Sequence, residues 1–162
     1  MKPRLARCGL SNVNPELLSL ENDSKIRRLM GKVDTVLVDA PCSGLGTLRR
    51  NPDLKYRQSP ESVAQLITQQ AAILASAARL LKVGGRLVYA TCSILPEENE
   101  QQVEQFLANH PDFELLDCAE LLKGLKIPLD TGPMLSLTPY THQTDGFFAA
   151  VLQKKSVSSD QT

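Results

Sequence analysis

The chain has 162 residues, 42% of them apolar and 22% charged, with 18 Lys/Arg balancing 18 Asp/Glu; this is one domain's worth of globular sequence, or a piece of a larger domain. No apolar run approaches the roughly 20 residues of a membrane span, and no apolar stretch follows MKPRLARCGL as a secretory signal requires. Four cysteines at 8, 42, 92 and 118 form no C-x-x-C pair and are joined by only two histidines, so a reduced cytoplasmic thiol set without a metal is expected.

The neutral total conceals an asymmetry. Residues 1–57 carry 11 Lys/Arg against 6 Asp/Glu, and residues 58–162 carry 7 against 12. A basic half fits a nucleic-acid footprint and equally fits a solvated face.

In chain order, residues 35–38 (TVLV) form a short β-branched run that stops at Asp39-Ala40-Pro41, the pattern of a buried strand. Residues 42–58 contain Gly44, Gly46 and Pro52 and suit a loop. Ser59-Pro60-Glu61 opens a helix with a hydroxyl N-cap, Pro in the first turn and an acid at the positive dipole end. Its apolar stripe of Val63, Leu66, Ile67, Leu74, Ala77, Ala78 and Leu81 continues to Lys82, and Gly84-Gly85 stops it. Residues 86–91 are a second strand. Pro96-Glu97-Glu98 starts a second helix with Val103, Phe106 and Leu107 on one face, ending near His110-Pro111. Residues 113–117 and 147–152 are further strands, with Phe147 and Phe148 assigned to the core. Residues 118–145 are irregular and 154–162 are a disordered tail.

Alternating strands and helices predict an open, largely parallel α/β sheet, in which ligands sit beyond the carboxyl ends of the strands. Asp39-Ala40-Pro41-Cys42 lies at one such end and Thr91-Cys92-Ser93 at another. If the two strands are neighbours, both thiols converge on one crevice. Gly44-Leu45-Gly46 is no dinucleotide fingerprint, since Arg stands at 49 and no P-loop lysine follows; these glycines shape a loop.

DAPCSG at 39–44, followed fifty residues on by the cysteine of TCS, resembles the RNA cytosine-5-methyltransferase family, in its bacterial ribosomal Sun (Fmu, RsmB) branch. The likeness includes LVDAPCSGLGTLRRNPDLKYR at 37–57, GGRLVYATCSILPEENE at 84–100 and DGFFAAVL at 145–152. It implies the C-terminal half of a Rossmann-like methyltransferase fold, a mostly parallel sheet with an antiparallel last strand. It also implies methylation of C5 of a cytosine in 16S ribosomal RNA, with S-adenosylmethionine as methyl donor. C5 of cytosine is a poor nucleophile; a thiolate adding at C6 pushes electron density onto C5, and a base later removes the C5 proton so that elimination frees the enzyme.

The resemblance assigns covalent attack to Cys92 and product release to Cys42, and sets Asp39 between the cofactor and the base edge. DNA cytosine-5-methyltransferases instead use the cysteine of a Pro-Cys dipeptide, which here is Cys42. Pro41 would touch substrate, and Arg49, Arg50, Lys55, Tyr56 and Arg57 suit contact with RNA phosphates and a splayed-out base. A catalytically silent RNA-binding or assembly module that retains the cysteines by descent is the alternative.

The family's catalytic domain begins with a strand, a Gly-rich cofactor loop and an acidic residue for the ribose, and nothing before Val33 supplies them, although residues 11–20 resemble the remnant of a third strand. Residues 1–153 are accordingly expected to be a partial catalytic domain, without the RNA-recognition or NusB-like N-terminal domain usual in the branch and inactive alone. The 35–38 strand, central in the intact sheet, would then present an unpaired edge prone to self-association.

Overall fold

The computed structural model describes residues 2–18 and 23–156. The elements in chain order are α1 (Lys2–Arg7), α2 (Ser24–Arg27), β1 (Val33–Asp39), α3 (Leu54–Arg57), α4 (Pro60–Ala78), β2 (Leu81–Thr91), α5 (Glu100–Asn109), β3 (Phe113–Leu116), α6 (Cys118–Gly124), β4 (Leu135–Leu137), α7 (Pro139–His142) and β5 (Phe147–Lys154). Short 3-10 turns cover Leu45–Thr47 and Pro96–Glu98.

Apolar periodicity explains the main elements. α4 starts where expected: Ser59 Oγ accepts from the Ser62 N–H and Ser62 Oγ from the Ser59 N–H, a reciprocal capping box with Pro60 in the first turn. Leu74, Ala77 and Ala78 of α4 are buried with Val103 and Phe106 of α5. Both helices pack into one core with Leu87 and Tyr89 of β2 and the alternating Phe148, Ala150 and Leu152 of β5.

The sheet order is β1-β2-β5-β3, with β4 also pairing β5. β1 and β2 are parallel, and β5 is antiparallel to β2, β3 and β4. β1, β2 and β3 therefore run one way and the last strand runs against them, the expected Rossmann-like arrangement. Among the described residues β1 has a strand on one side only, and its Leu37 is 67% exposed.

Several boundaries differ from expectation. α4 ends at Ala78 rather than Lys82, because the Arg79 and Leu80 carbonyls accept from the N–H groups of Gly31, Lys32 and Val33, drawing the chain into the sheet. β2 starts at Leu81, and the register jumps from Val33↔Leu81 to Thr35↔Arg86, so residues 82–85 bulge out. Gly85 is needed there, since a Cβ would meet the Lys82 carbonyl oxygen at 2.9 Å.

Residues 118–145 are more ordered than expected. Asp117 caps α6 through the Ala119 and Glu120 N–H groups, and residues 135–137 find a partner in β5. Residues 11–18 form no strand: Pro15 interrupts them and no described strand lies beside them; residues 19 and 20 of that expected remnant lie outside the described residues. Lys154 closes β5 and the Lys155 N–H donates to Asp112 O at 2.8 Å, so the first residues of the expected tail belong to the sheet. Residues 157–162 lie outside the described residues.

Candidate active site at the ends of β1 and β2

The parallel register aligns Asp39 with Ala90, so the chains leaving β1 and β2 emerge side by side. The next turns carry Cys42 and Cys92, whose Sγ atoms lie 3.5 Å apart, both half-buried. The convergence expected from two strand ends is thus observed. Cys8 is exposed and Cys118 buried, far from this pair in the chain and outside its contacts. Among the described residues no cluster of three or more metal-ligating side chains occurs.

Burial pushes the Cys42 thiol up to about 12, the neighbouring Cys92 sulfur adds to the shift, and the Gly44 backbone N–H opposes it. Cys42 therefore stays protonated across the neutral range, and its S–H is available as a donor to the Cys92 sulfur.

Behind the thiols lies a polar network. Glu98, fully buried, accepts from the Ser43 N–H at 2.8 Å, from the Ser43 and Ser93 hydroxyls at 2.5 Å each, and from Gln70 Nε2 at 3.0 Å. Gln70 Nε2 also donates to Pro41 O at 2.9 Å, and Gln58 Nε2 to Ser43 O at 2.9 Å. Around Cys92, Asn99 accepts from Thr91 Oγ1 and donates to Ser93 O. Tyr89 Oη donates to Glu98 O at 2.7 Å, and burial, then the charge of Glu98, hold its hydroxyl above its ordinary range. Sequence reasoning took residues 96–100 only as a helix start. The available signal was a Glu six residues after Cys92, and nothing in its spacing distinguishes a buried carboxylate from a solvated one.

The expected loop at 42–58 contains a 3-10 turn and α3. Gly44 takes φ +73°, open to glycine at little cost. Gly46 lies in a seam: its N–H donates to Cys92 O at 2.9 Å and its carbonyl accepts from the Gly146 N–H at 2.7 Å. A Cβ at Gly46 would collide with the Gly146 carbonyl and come within 2.7 Å of Cys92 O. These glycines do shape the loop, by letting three backbones meet.

The remaining candidate residues divide into two groups. Asp39 and Pro41 are exposed and border a cavity of about 430 Å³ along the free side of β1, with Leu18, Ile26, Val36, Ile73 and Leu80 among its walls. Arg49, Arg50, Lys55, Tyr56 and Arg57 lie on the surface. The Nε atoms of Arg49 and Arg50 both pair with the Asp145 carboxylate, at 3.2 and 3.0 Å, and Arg57 pairs with Asp53 at 2.7 Å. Lys55 Nζ sits 4.8 Å from the ring centre of Tyr56, which is 82% exposed. Asp145, half-buried and not singled out from the sequence, is the carboxylate on which the two arginines converge. Phe148 is fully buried as expected, whereas Phe147 is at the surface.

Residues 4–153 match the family described as 16S rRNA methyltransferase RsmB/F. The "Probable ribosomal RNA small subunit methyltransferase B" of Synechocystis sp. is 47% identical over 122 residues, covering 75% of this chain and 27% of that protein. The ribosomal RNA small subunit methyltransferase B of Klebsiella pneumoniae (strain 342) is 46% identical over 122 residues, 75% of this chain and 26% of that protein. The crystal structure of NSun6 from Pyrococcus horikoshii with SFG superposes with a TM-score of 0.78 at 28% identity, covering 96% of this chain and 38% of that one. The chain thus spans about a quarter of the length of these curated relatives. With the family matched along nearly the whole chain and the fold shared with a solved relative, this chain belongs to the 16S rRNA methyltransferase RsmB/F family.

Proposed function

We propose that this chain carries the covalent half of an S-adenosylmethionine-dependent RNA methyltransferase acting on C5 of a cytosine in small-subunit ribosomal RNA. The observation that carries the proposal is the pair of thiols 3.5 Å apart at the ends of adjacent parallel strands. Cys92 is the nucleophile: its sulfur adds to C6 and makes C5 an enamine-like carbon able to take a methyl group. Cys92 releases its proton to solvent as it attacks. Cys42, protonated in the resting site, later passes its own proton to the departing Cys92 sulfur in step with taking the C5 proton, so that the C5–H and C–S bonds break together and the C5–C6 double bond re-forms. The C5 proton refills Cys42, the Cys42 proton refills Cys92, and the one proton given to solvent at the attack is the net release, so the site regenerates.

S-adenosylmethionine supplies the electrophilic methyl group. Asp39 at the mouth of the apolar cavity beside β1 fits such a ligand: no described residue bonds its carboxylate, which remains free to accept from amino or ring N–H groups. The NSun6 structure was solved with SFG, an analogue of S-adenosylmethionine, which supports S-adenosylmethionine as the cofactor here. Among the described residues no strand with a glycine-rich turn precedes β1, so residues 2–156 by themselves would hold the cofactor weakly and turn over little or not at all. Pro41 and the Arg49–Arg57 surface would face RNA, with the cations on phosphates and Tyr56 available for stacking. The free side of β1 is proposed as a site of self-association.

RNA carrying 5-fluorocytosine tests the central claim, because fluorine at C5 cannot leave as a proton. The full encoded polypeptide, with cofactor, should form a stable covalent adduct on a denaturing gel. Cys92→Ser should reduce adduct formation by more than about 10³-fold. No adduct from folded, RNA-binding protein would instead indicate a silent binding module.

A further inference from the structure

We infer that Glu98 is a positioning residue that holds the two cysteine turns in register, acting through Ser43 and Ser93. The two serines are the residues immediately after Cys42 and Cys92. Their hydroxyls converge on one oxygen, Oε2 of Glu98, and lie 3.1 Å from each other. The other carboxylate oxygen takes the Ser43 N–H and the Gln70 amide, which also holds Pro41 O. Two turns fifty residues apart in sequence are thereby fastened to a single side chain.

The energetics argue against a purely packing role. Among the described residues no Lys or Arg forms an ion pair with Glu98. A carboxylate buried among neutral donors carries a desolvation cost that an apolar side chain of similar size would avoid. What the apolar side chain could not do is gather both hydroxyls and one turn's backbone N–H at once. Each hydroxyl has a single proton, and donating it to Glu98 fixes the rotor. Ser93 Oγ is then left to accept the Leu95 N–H at 3.0 Å, which closes the turn after Cys92. Displacing either turn by about 1 Å would separate sulfurs whose joint action depends on their approach.

The test compares Glu98→Ala, Glu98→Gln and the double variant Ser43→Ala/Ser93→Ala with the native chain, each at a temperature where circular dichroism shows it folded. The first readout is the rate of the Cys42–Cys92 cross-link under diazenedicarboxamide, scored by mass spectrometry; the diazene takes the two electrons and two protons that the thiols release. Glu98→Ala and the double serine variant should cross-link about tenfold more slowly or worse. Glu98→Gln should recover most of the native rate, since the amide can accept on one side and donate to both serine oxygens on the other. A folded Glu98→Ala protein that cross-links at the native rate overturns the inference.

The second readout rests on the function proposed above: adduct formation with 5-fluorocytosine RNA by the full encoded polypeptide. Its rate constant should fall about tenfold or more in Glu98→Ala while RNA affinity stays level. No adduct from the native protein defeats the proposed function and leaves the cross-link result to decide on Glu98. Adduct formation unchanged by Glu98→Ala defeats the positioning role alone.

Discussion

The basic surface at residues 49–57 and the buried network behind the thiol pair are built on opposite principles. Behind it, Glu98, Ser43, Ser93 and Asn99 are buried, and each finds its hydrogen-bond partners within the protein. On the 49–57 surface, Arg49, Arg50, Lys55 and Arg57 are exposed, the arginines paired with Asp145 and Asp53 and Lys55 lying over the Tyr56 ring. A buried polar group deprived of its partner costs about 1–3 kcal/mol, whereas an exposed ion pair contributes about 0–1 kcal/mol. The buried network can therefore fix the sulfurs, while exposed Lys55 and Arg57 can engage phosphates at little cost; Arg49 and Arg50 are tied more firmly, through the half-buried Asp145 carboxylate. Fixed chemistry and adjustable binding need this difference.

Four variants would break or sharpen that contrast. Cys42→Ala acts on the fixed side: turnover should fall by about 10²–10⁴-fold, with the covalent protein–RNA complex accumulating on natural RNA. Adduct disappearing in Cys42→Ala and persisting in Cys92→Ala would exchange the two roles and move the chemistry to the DNA-type arrangement.

Arg49→Ala/Arg50→Ala acts on the adjustable side. RNA affinity should drop about tenfold near physiological salt, and the slope of log K against log salt should shrink by about 1.4. The melting temperature should barely move; a large fall would mean that these arginines belong to the scaffold.

Gly46→Ala strikes the seam joining the two regions. The added methyl meets the Gly146 carbonyl and Cys92 O, neither of which can yield as a flexible side chain would. A loss of about 1–3 kcal/mol in denaturant unfolding is expected. An unchanged midpoint would show that the seam opens freely.

The smallest effect concerns the sheet edge. Leu37→Lys, on the exposed edge strand, should shift light scattering toward monomer without altering the cysteine pair. A native chain that is already monomeric, with β1 amides fully protected from exchange, would remove the proposed self-association.

Much of this was legible in the linear chain. Alternating apolar runs specified β1, α4, β2, α5, β3 and β5, because each needs only its own periodicity and a flanking cap or breaker. The Ser59 box shows this well, both partners lying within three residues. The approach of the two thiols also followed from short motifs at strand ends, since parallel neighbours deliver their C-termini to one place. β4 and α6 were missed because residues 135–137 are a strand only by virtue of β5 beside them, and the α6 cap is a single aspartate. The end of α4 was misplaced for a similar reason: residues 31–33 capture its last carbonyls from across the fold.

By itself, then, the sequence determined the family motifs, the order of the main elements and the two cysteines. Those depend on covalent neighbours and on patterns a few residues long. Only the tertiary structure decided the 3.5 Å approach of the sulfurs, the burial of Glu98 between Ser43 and Ser93, and the capture of two arginines by Asp145. Each of these joins residues five to about a hundred positions apart. A carboxylate's environment, unlike a helix cap, is set by what folding brings against it.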